Sequence, residues 1–323
     1  MLPRHSQSAQ RMKNVCLLLL LCVFQGACNQ VTDNQPTPTE TVPASAIQAL
    51  TDQYPGAADM VFKTLEKDRV WQVNFTQKSA RYSAATNPQK LLIAYQLQTQ
   101  SVPDSLASLV RNTVLDGGTF TNLRVQNYSW FRDGGNNGQF IFADYDWQGT
   151  RYTFRWTVTS INGTITYVTE LLPSNQLEFR TETLLDLPLA IQQSLTAQGA
   201  VFSYALVTVD AQGKKRYAIS AQQNTNYYTL TYEENGQLIA ATGSANAQYY
   251  SFINQLPASI QTYLQQTPEL TGFSNSGQFS LLSKSQYAGV TTYTVNVQKG
   301  RQTWFMTFNE QGQLVRRTYL NLV

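Results

Sequence analysis

Histidine occurs once in this 323-residue chain, at position 5, and cysteine three times, at positions 16, 22 and 28. All but Cys28 lie in a leading stretch that reads as an export signal, so the body has no histidine and a single cysteine at its front. That excludes Ser-His-Asp and Cys-His catalysis and the usual zinc sites. No lysine follows a serine at a distance of three, and no G-x-x-x-x-G-K-[ST] loop occurs, so those nucleophile and phosphate sites are absent too. Charged residues make up only 13% of the chain. No stretch approaches the roughly 20 apolar residues needed to cross a bilayer.

The leading stretch is distinctive. Arg4, Arg11 and Lys13 precede an apolar run, Val15 to Phe24, that ends in "QGAC". A basic segment, an apolar core and small residues before a cut describe a secretory signal over 1–27. Cys28 after Gly26-Ala27 resembles the bacterial lipoprotein cleavage box, with Gln25 where that box has an aliphatic residue. Two readings follow: a lipid on Cys28, holding the protein to a membrane surface, or ordinary cleavage after Ala27. Cutting lowers Lys+Arg from 23 to 20, against 20 Asp+Glu. A neutral body without a basic stripe argues against nucleic acid as partner. Residues 28–41, with prolines and little to bury, suit a flexible tether.

The rest of the chain repeats itself. "VPASAI", "VPDSL", "LPLAI" and "LPASI" align on Pro43, Pro103, Pro188 and Pro257. Three residues on stand Ala46, Leu106, Ile191 and Ile260, and seven on stand Leu50, Val110, Leu195 and Leu264. That spacing predicts a short amphipathic helix after each proline. The period then changes to two. Trp71, Val73 and Phe75 alternate with polar residues, as do Tyr152, Phe154 and Trp156, then Tyr228, Leu230 and Tyr232, then Tyr293, Val295 and Val297. Trp304, Met306 and Phe308 follow. These read as strands with one buried and one wet face. The closings "YEENGQLIAATG" and "FNEQGQLVRRTY" place Gly236 and Gly312 at hairpin turns needing positive φ.

The expected fold class is therefore α+β: four tandem helix-plus-antiparallel-sheet units, paired edge to edge into two domains. Residues 42–183 would form the first pair and 184–323 the second, each with a curved sheet of about eight strands backed by helices. Pairing is expected because a module of 60–70 residues buries little and leaves strand edges open.

"VPASAI…YPGA…VWQVNF" and "LPASI…YTVNV…WFMTFNEQGQL" resemble the PepSY-like repeats of exported Bacteroidetes proteins, a family itself described as similar to the beta-lactamase inhibitor protein. The resemblance spans 42–323 and rests on packing and turn residues. It implies an exported binding module with curved sheets backed by helices. PepSY domains proper are associated with restraining peptidases. No contact residue is implied.

Few residues suggest chemistry. "DYDWQG" at 144–149 begins like a calcium loop, but Gln148 and Arg155 stand where ligands are required. Glu170, Glu178 and Glu182 alternate with threonines and arginines, as on a solvated sheet face. No catalytic residue, metal site or cofactor is expected. The candidate partner-binding residues are Trp130, Phe131 and Arg132, hot-spot types beside the glycine-rich "DGGNNG"; one of the two rings packing inward is the plainer alternative. Tyr227, Thr229, Thr231 and Phe305 form a second candidate face. The expectation is a non-enzymatic exported lipoprotein, anchored by Cys28 in the outer membrane facing the periplasm or cell surface. It would bind an envelope protein, as inhibitor or partner of an envelope enzyme. The alternative is a structural or small-ligand-holding component without inhibitory activity.

Overall fold

Each of the four prolines begins a helix. Pro43, Pro103, Pro188 and Pro257 are the N-cap residues of α1 (Ala44–Gln53), α2 (Asp104–Ala107), α3 (Leu189–Ala197) and α4 (Ala258–Gln266). The structure is a computed structural model and describes residues 42–129, 137–161, 164–243 and 247–322. All four prolines are extended, with φ from −60° to −52° and ψ from 141° to 144°. The ring fixes that φ, and an extended residue is what an N-cap requires. The carbonyl of Pro43 accepts from the amides of Ala46 and Ile47, and that of Pro257 from those of Ile260 and Gln261. None of the four caps has a side-chain hydrogen bond, so the proline backbone sets each entry. α2 is a single turn, and Val110 is buried beyond its end.

The strands do not assemble as expected. In chain order they are β1 (Ala58–Glu66), β2 (Val70–Gln77), β3 (Ala80–Thr86), β4 (Leu91–Leu97), β5 (Thr119–Ser129), β6 (Asn137–Trp147), β7 (Thr150–Ile161), β8 (Thr164–Pro173) and β9 (Leu177–Thr181). β10 (Val201–Val209), β11 (Lys215–Gln223), β12 (Asn226–Glu233), β13 (Leu238–Gly243), β14 (Gln248–Tyr249), β15 (Leu281–Tyr287), β16 (Val290–Lys299), β17 (Gln302–Asn309) and β18 (Leu314–Leu322) follow. Thirteen of them make one sheet, in the order β1 to β8 and then β18 back to β14; the other five, β13 to β9, make a second.

This corrects the expected fold class of four helix-plus-sheet units in two eight-stranded domains. The molecule is mostly β, and its sheets have thirteen and five strands. The last strand, β18, pairs antiparallel with β8, Tyr319 opposite Leu171 and Asn321 opposite Thr169. Strands from residues 42–183 and 281–322 thus share a sheet. Conversely β9, before residue 184, pairs with β10 in the small sheet, Phe179 opposite Val207. Two ladders cross the expected boundary, and Val42–Val323 form one compact unit. The physical reason is that alternation along a strand fixes which face is apolar but says nothing about which distant edge it meets.

Helices pack on one face of the large sheet. Leu50 meets Val73, Phe75 and Ala84 in a small cluster. Leu106, Val110 and Ile260 share a larger one with Tyr145, Phe154, Trp156, Val295, Trp304, Met306 and Phe308. That cluster is continuous because β8 and β18 are joined. The opposite face of the large sheet presents Val70, Ala85, Tyr95 and Phe142 to the small sheet, whose Leu177, Phe179, Val207, Tyr217 and Leu230 pack with Ile191 and Leu195 of α3. β9 lies against β3 and β4, and β13 against β15 to β17. The expected wet faces are therefore partly covered: Thr153 and Thr292 are fully buried, and Asn296 is nearly so. Ala241 donates its amide to Thr292 Oγ1 across that junction, at 2.9 Å.

Free edges are guarded. β1 carries two register breaks, with Asp59 at φ 52°, and β14 at the far edge is only two residues long. Bulges and shortness both discourage edge pairing.

Gly236 and Gly312 explain the repeated closing phrase. They turn the β12–β13 and β17–β18 hairpins with φ of 84° and 76°. Each also lies against the start of a helix. A Cβ on Gly236 would sit 2.6 Å from Ala190 Cβ, and one on Gly312 would sit 2.7 Å from Ser259 Cβ. Gly149, at φ 74°, has open space instead. The left-handed conformation alone costs a substituted residue about 1–2 kcal/mol. Gly236→Ala and Gly312→Ala should therefore lower the melting temperature more than Gly149→Ala; equal losses would show that only the turn matters. A second expectation concerns the crossing ladders. Residues 184–323 expressed alone leave β10 without β9 and β18 without β8, so the fragment should not fold. A well-dispersed 1H–15N NMR spectrum from it would contradict this.

Candidate functional site

The chain leaves the large sheet for the small one at Ser174–Asn175, and that corner is held by buried polar groups. Asn175 is buried; its amide donates to Thr153 Oγ1, and its carbonyl accepts from Thr153 Oγ1 and from Arg124 Nη2 at 2.7 Å. Arg124 is itself buried and pairs through Nη1 with Asp144 Oδ1 at 2.9 Å, while Asn122 Nδ2 donates to Asp144 Oδ2 at 2.8 Å. A bulge between Thr121 and Arg124, with Asn122 at φ 52°, directs Arg124 into the corner. Every oxygen of the carboxylate is used, which is the condition for burying such a pair.

Beyond the corner lies a cleft of about 220 Å³ between the two sheets. Leu172 and Val315 wall it on the large sheet, Leu206 and Ala218 on the small one. Glu178 reaches in from β9. Arg155 holds it at 3.2 Å and holds Glu170 through two bonds of 2.6 and 3.0 Å. Burial raises the pKa of Glu178, with Arg155 and Arg316 acting against the rise. Beneath it, Tyr95 Oη donates to the Glu178 carbonyl at 2.9 Å, and burial pushes that phenol's pKa upward. Arg216 and Arg316 complete the cationic side of the cleft. Crowding by protein lowers the pKa of Arg316; Glu178 offsets part of that effect, and Arg155 and Arg216 add to it. The arrangement can hold a ligand with an apolar body and a polar head.

Few of the residues singled out by sequence meet here. Cys28, Trp130, Phe131 and Arg132 lie outside the described residues. Asp144 and Asp146 of the calcium-like phrase are each committed to an arginine, Asp144 to Arg124 and Asp146 to Arg151. Glu170 and Glu178 do come together, through Arg155, whereas Glu182 pairs with Arg180 at the surface. Of the second candidate face, Thr231 lines the cleft and Tyr227 is exposed. Phe305 lies in another groove, with Tyr249. Arg216, Arg316, Leu172 and Leu206 were not anticipated. The only sequence signal for them is the pair Arg316-Arg317, which on a strand must send one charge to each face.

No known protein family and no curated protein matches the chain. Solved structures that match the chain include two from Bacteroides. A protein of unknown function from Bacteroides vulgatus, thought to be periplasmic, matches with 12% identity over 44% of this chain and 98% of its own, at a TM-score of 0.21. A DUF2874 family protein from Bacteroides uniformis matches with 10% identity over 63% of this chain and 90% of its own, at a TM-score of 0.19. Scores this low do not establish a common fold.

The corner yields a stability expectation. Asp144→Ala leaves Arg124 buried without its counter-charge, which typically costs about 3–5 kcal/mol. Asp146→Ala breaks only the solvent-exposed pair with Arg151 and should leave the urea midpoint nearly unchanged. Similar midpoints for the two variants would mean that Arg124 does not depend on Asp144.

Proposed function

We propose that this is an exported, non-enzymatic binding protein, lipid-anchored at Cys28, that holds a small ligand in the cleft between its sheets. The observation that carries the reading is the cleft itself, with apolar walls from both sheets and Arg216, Arg316, Lys214, Glu178 and Asp210 in its lining. Concave, mostly apolar sites with a few converging polar groups are where small molecules bind. The charge arrangement favours holding over catalysis. Carboxylate-based hydrolysis needs an acid and a base on opposite sides of a bond, whereas Glu170 and Glu178 grip one guanidinium.

The address rests on the basic and apolar leader and on "GAC" before the cut. Residues 28–41, with prolines and little to bury, have the composition of a flexible tether between anchor and body. We place the anchor in the outer membrane, facing the periplasm or the cell surface. Protein docking is the second reading, and it falls to Trp130, Phe131 and Arg132. What favours it is residue type, since tryptophan and arginine are over-represented among residues that carry binding energy.

Two measurements test the proposal. Wild-type protein should partition into the detergent phase and Cys28→Ser should not; equal partitioning removes the anchor. Protein purified from the envelope, then denatured, should release a small molecule detectable by mass spectrometry. Ala218→Phe, which fills the cleft, should release none while melting normally. The same content in both proteins would overturn the cleft as the site.

A further inference from the structure

We propose that the ligand's polar head is a carboxylate, received by Arg316 and Arg216, with an apolar body about the size of one aromatic ring. This rests on the cleft being the binding site and specifies what it takes.

The argument is an accounting of direct ion pairs around the cleft, whose five cations and five carboxylates otherwise balance. Arg124 is committed to Asp144, Arg155 to Glu170 and Glu178, and Lys214 to Glu233 at 3.0 Å. Asp210, on the rim, spends Oδ1 on the amides of Gln212 and Lys214. Two cations remain. Among the described residues Arg316 has no carboxylate within ion-pair distance, and Arg216 reaches only the Val315 carbonyl, at a long 3.4 Å. Both line the cleft, Arg216 from the small sheet and Arg316 from the large one, and Glu178 opposes the like charge that Arg155 and Arg216 impose on Arg316.

Arg317, the next residue along β18, shows what a fully engaged arginine looks like in this protein. On the opposite face it pairs with Glu269 at 2.6 Å, bonds Tyr152 Oη and sits over the Trp304 ring. Arg316, an exposed residue that lines the cleft, has none of this, and its planar fork of donors suits a carboxylate. The volume sets the body. An apolar cavity of about 150 Å³ accepts benzene, so 220 Å³ has room for a ring with a carboxylate attached.

The test titrates full-length protein, calorimetrically, with benzoate and with benzyl alcohol, its neutral counterpart. Benzoate should bind and benzyl alcohol should bind far more weakly. Arg316→Gln should weaken benzoate by about tenfold or more, the loss expected for a charge-assisted bond, without changing the weak affinity for the alcohol. Arg216→Gln, at the other wall, should act the same way, with near-ultraviolet circular dichroism confirming that both variants are folded. If benzoate fails to bind the wild type, the carboxylate inference is wrong. If both probes bind equally and neither variant discriminates, the cleft remains the site but its head-group preference is not anionic.

Discussion

The carbonyl of Asn175, buried at the change of sheets, is the constraint on which the architecture turns. A strand that leaves one sheet to open another exposes backbone groups that neither ladder can satisfy, and each orphan would cost about 1–3 kcal/mol. Thr153 and Arg124 satisfy them here, and Asp144 makes the arginine tolerable. Everything downstream depends on that corner. It places β9 beside β10, frees the edge of β8 for β18, and opens the cleft between Leu172 and Leu206. Buried ion pairs add little net stability compared with apolar residues of the same shape. This one acts by specifying where the chain turns.

The same trade recurs in the apolar core. Trp71, Trp156 and Trp304 are fully buried, and among the described residues their indole nitrogens find no acceptor. An orphaned donor costs about 1–3 kcal/mol, while a ring burying 150–250 Å² gains roughly 4–6 kcal/mol at about 25 cal/mol/Å². Burial wins. The tryptophans hold the helix-facing side of the large sheet because their area outweighs their one polar atom. On the other side, where the sheets meet, apolar packing is joined by hydrogen bonds, from the Ala241 amide to Thr292 across the junction and from Tyr95 to the Glu178 carbonyl beneath the cleft.

How much of this was legible follows from which interactions are local. Proline-led helix starts were readable because a proline at the N-cap acts on its own next four residues. Buried alternation at Tyr152, Phe154 and Trp156, or at Tyr228, Leu230 and Tyr232, was readable because side-chain direction alternates with period two. Positive φ at Gly236 and Gly312 came from the turn alone. The joining of β8 to β18 was not readable, since the partners stand about 150 residues apart and either could have met another edge. Nor was the covering of the polar face, because Thr153, Thr292 and Asn296 look like solvated residues until a second sheet lies over them.

The cleft illustrates why a site of this kind leaves no motif. Its residues come from six strands in two sheets, among them Leu172, Glu178, Leu206, Arg216, Thr231 and Arg316. Each is an ordinary strand residue, and only the corner at Asn175 and the β8–β18 ladder bring them together. Because the walls belong to different sheets, a ligand that touches both bridges parts otherwise joined by the corner, by shared apolar packing and by contacts at the edges. Binding to the folded form alone stabilises it by about RT ln(1 + [L]/Kd). That stabilisation would fall on the junction rather than on either sheet. The junction also holds the buried contacts of Asn175 with Thr153 and Arg124, so ligand and fold would be coupled through the same few polar groups.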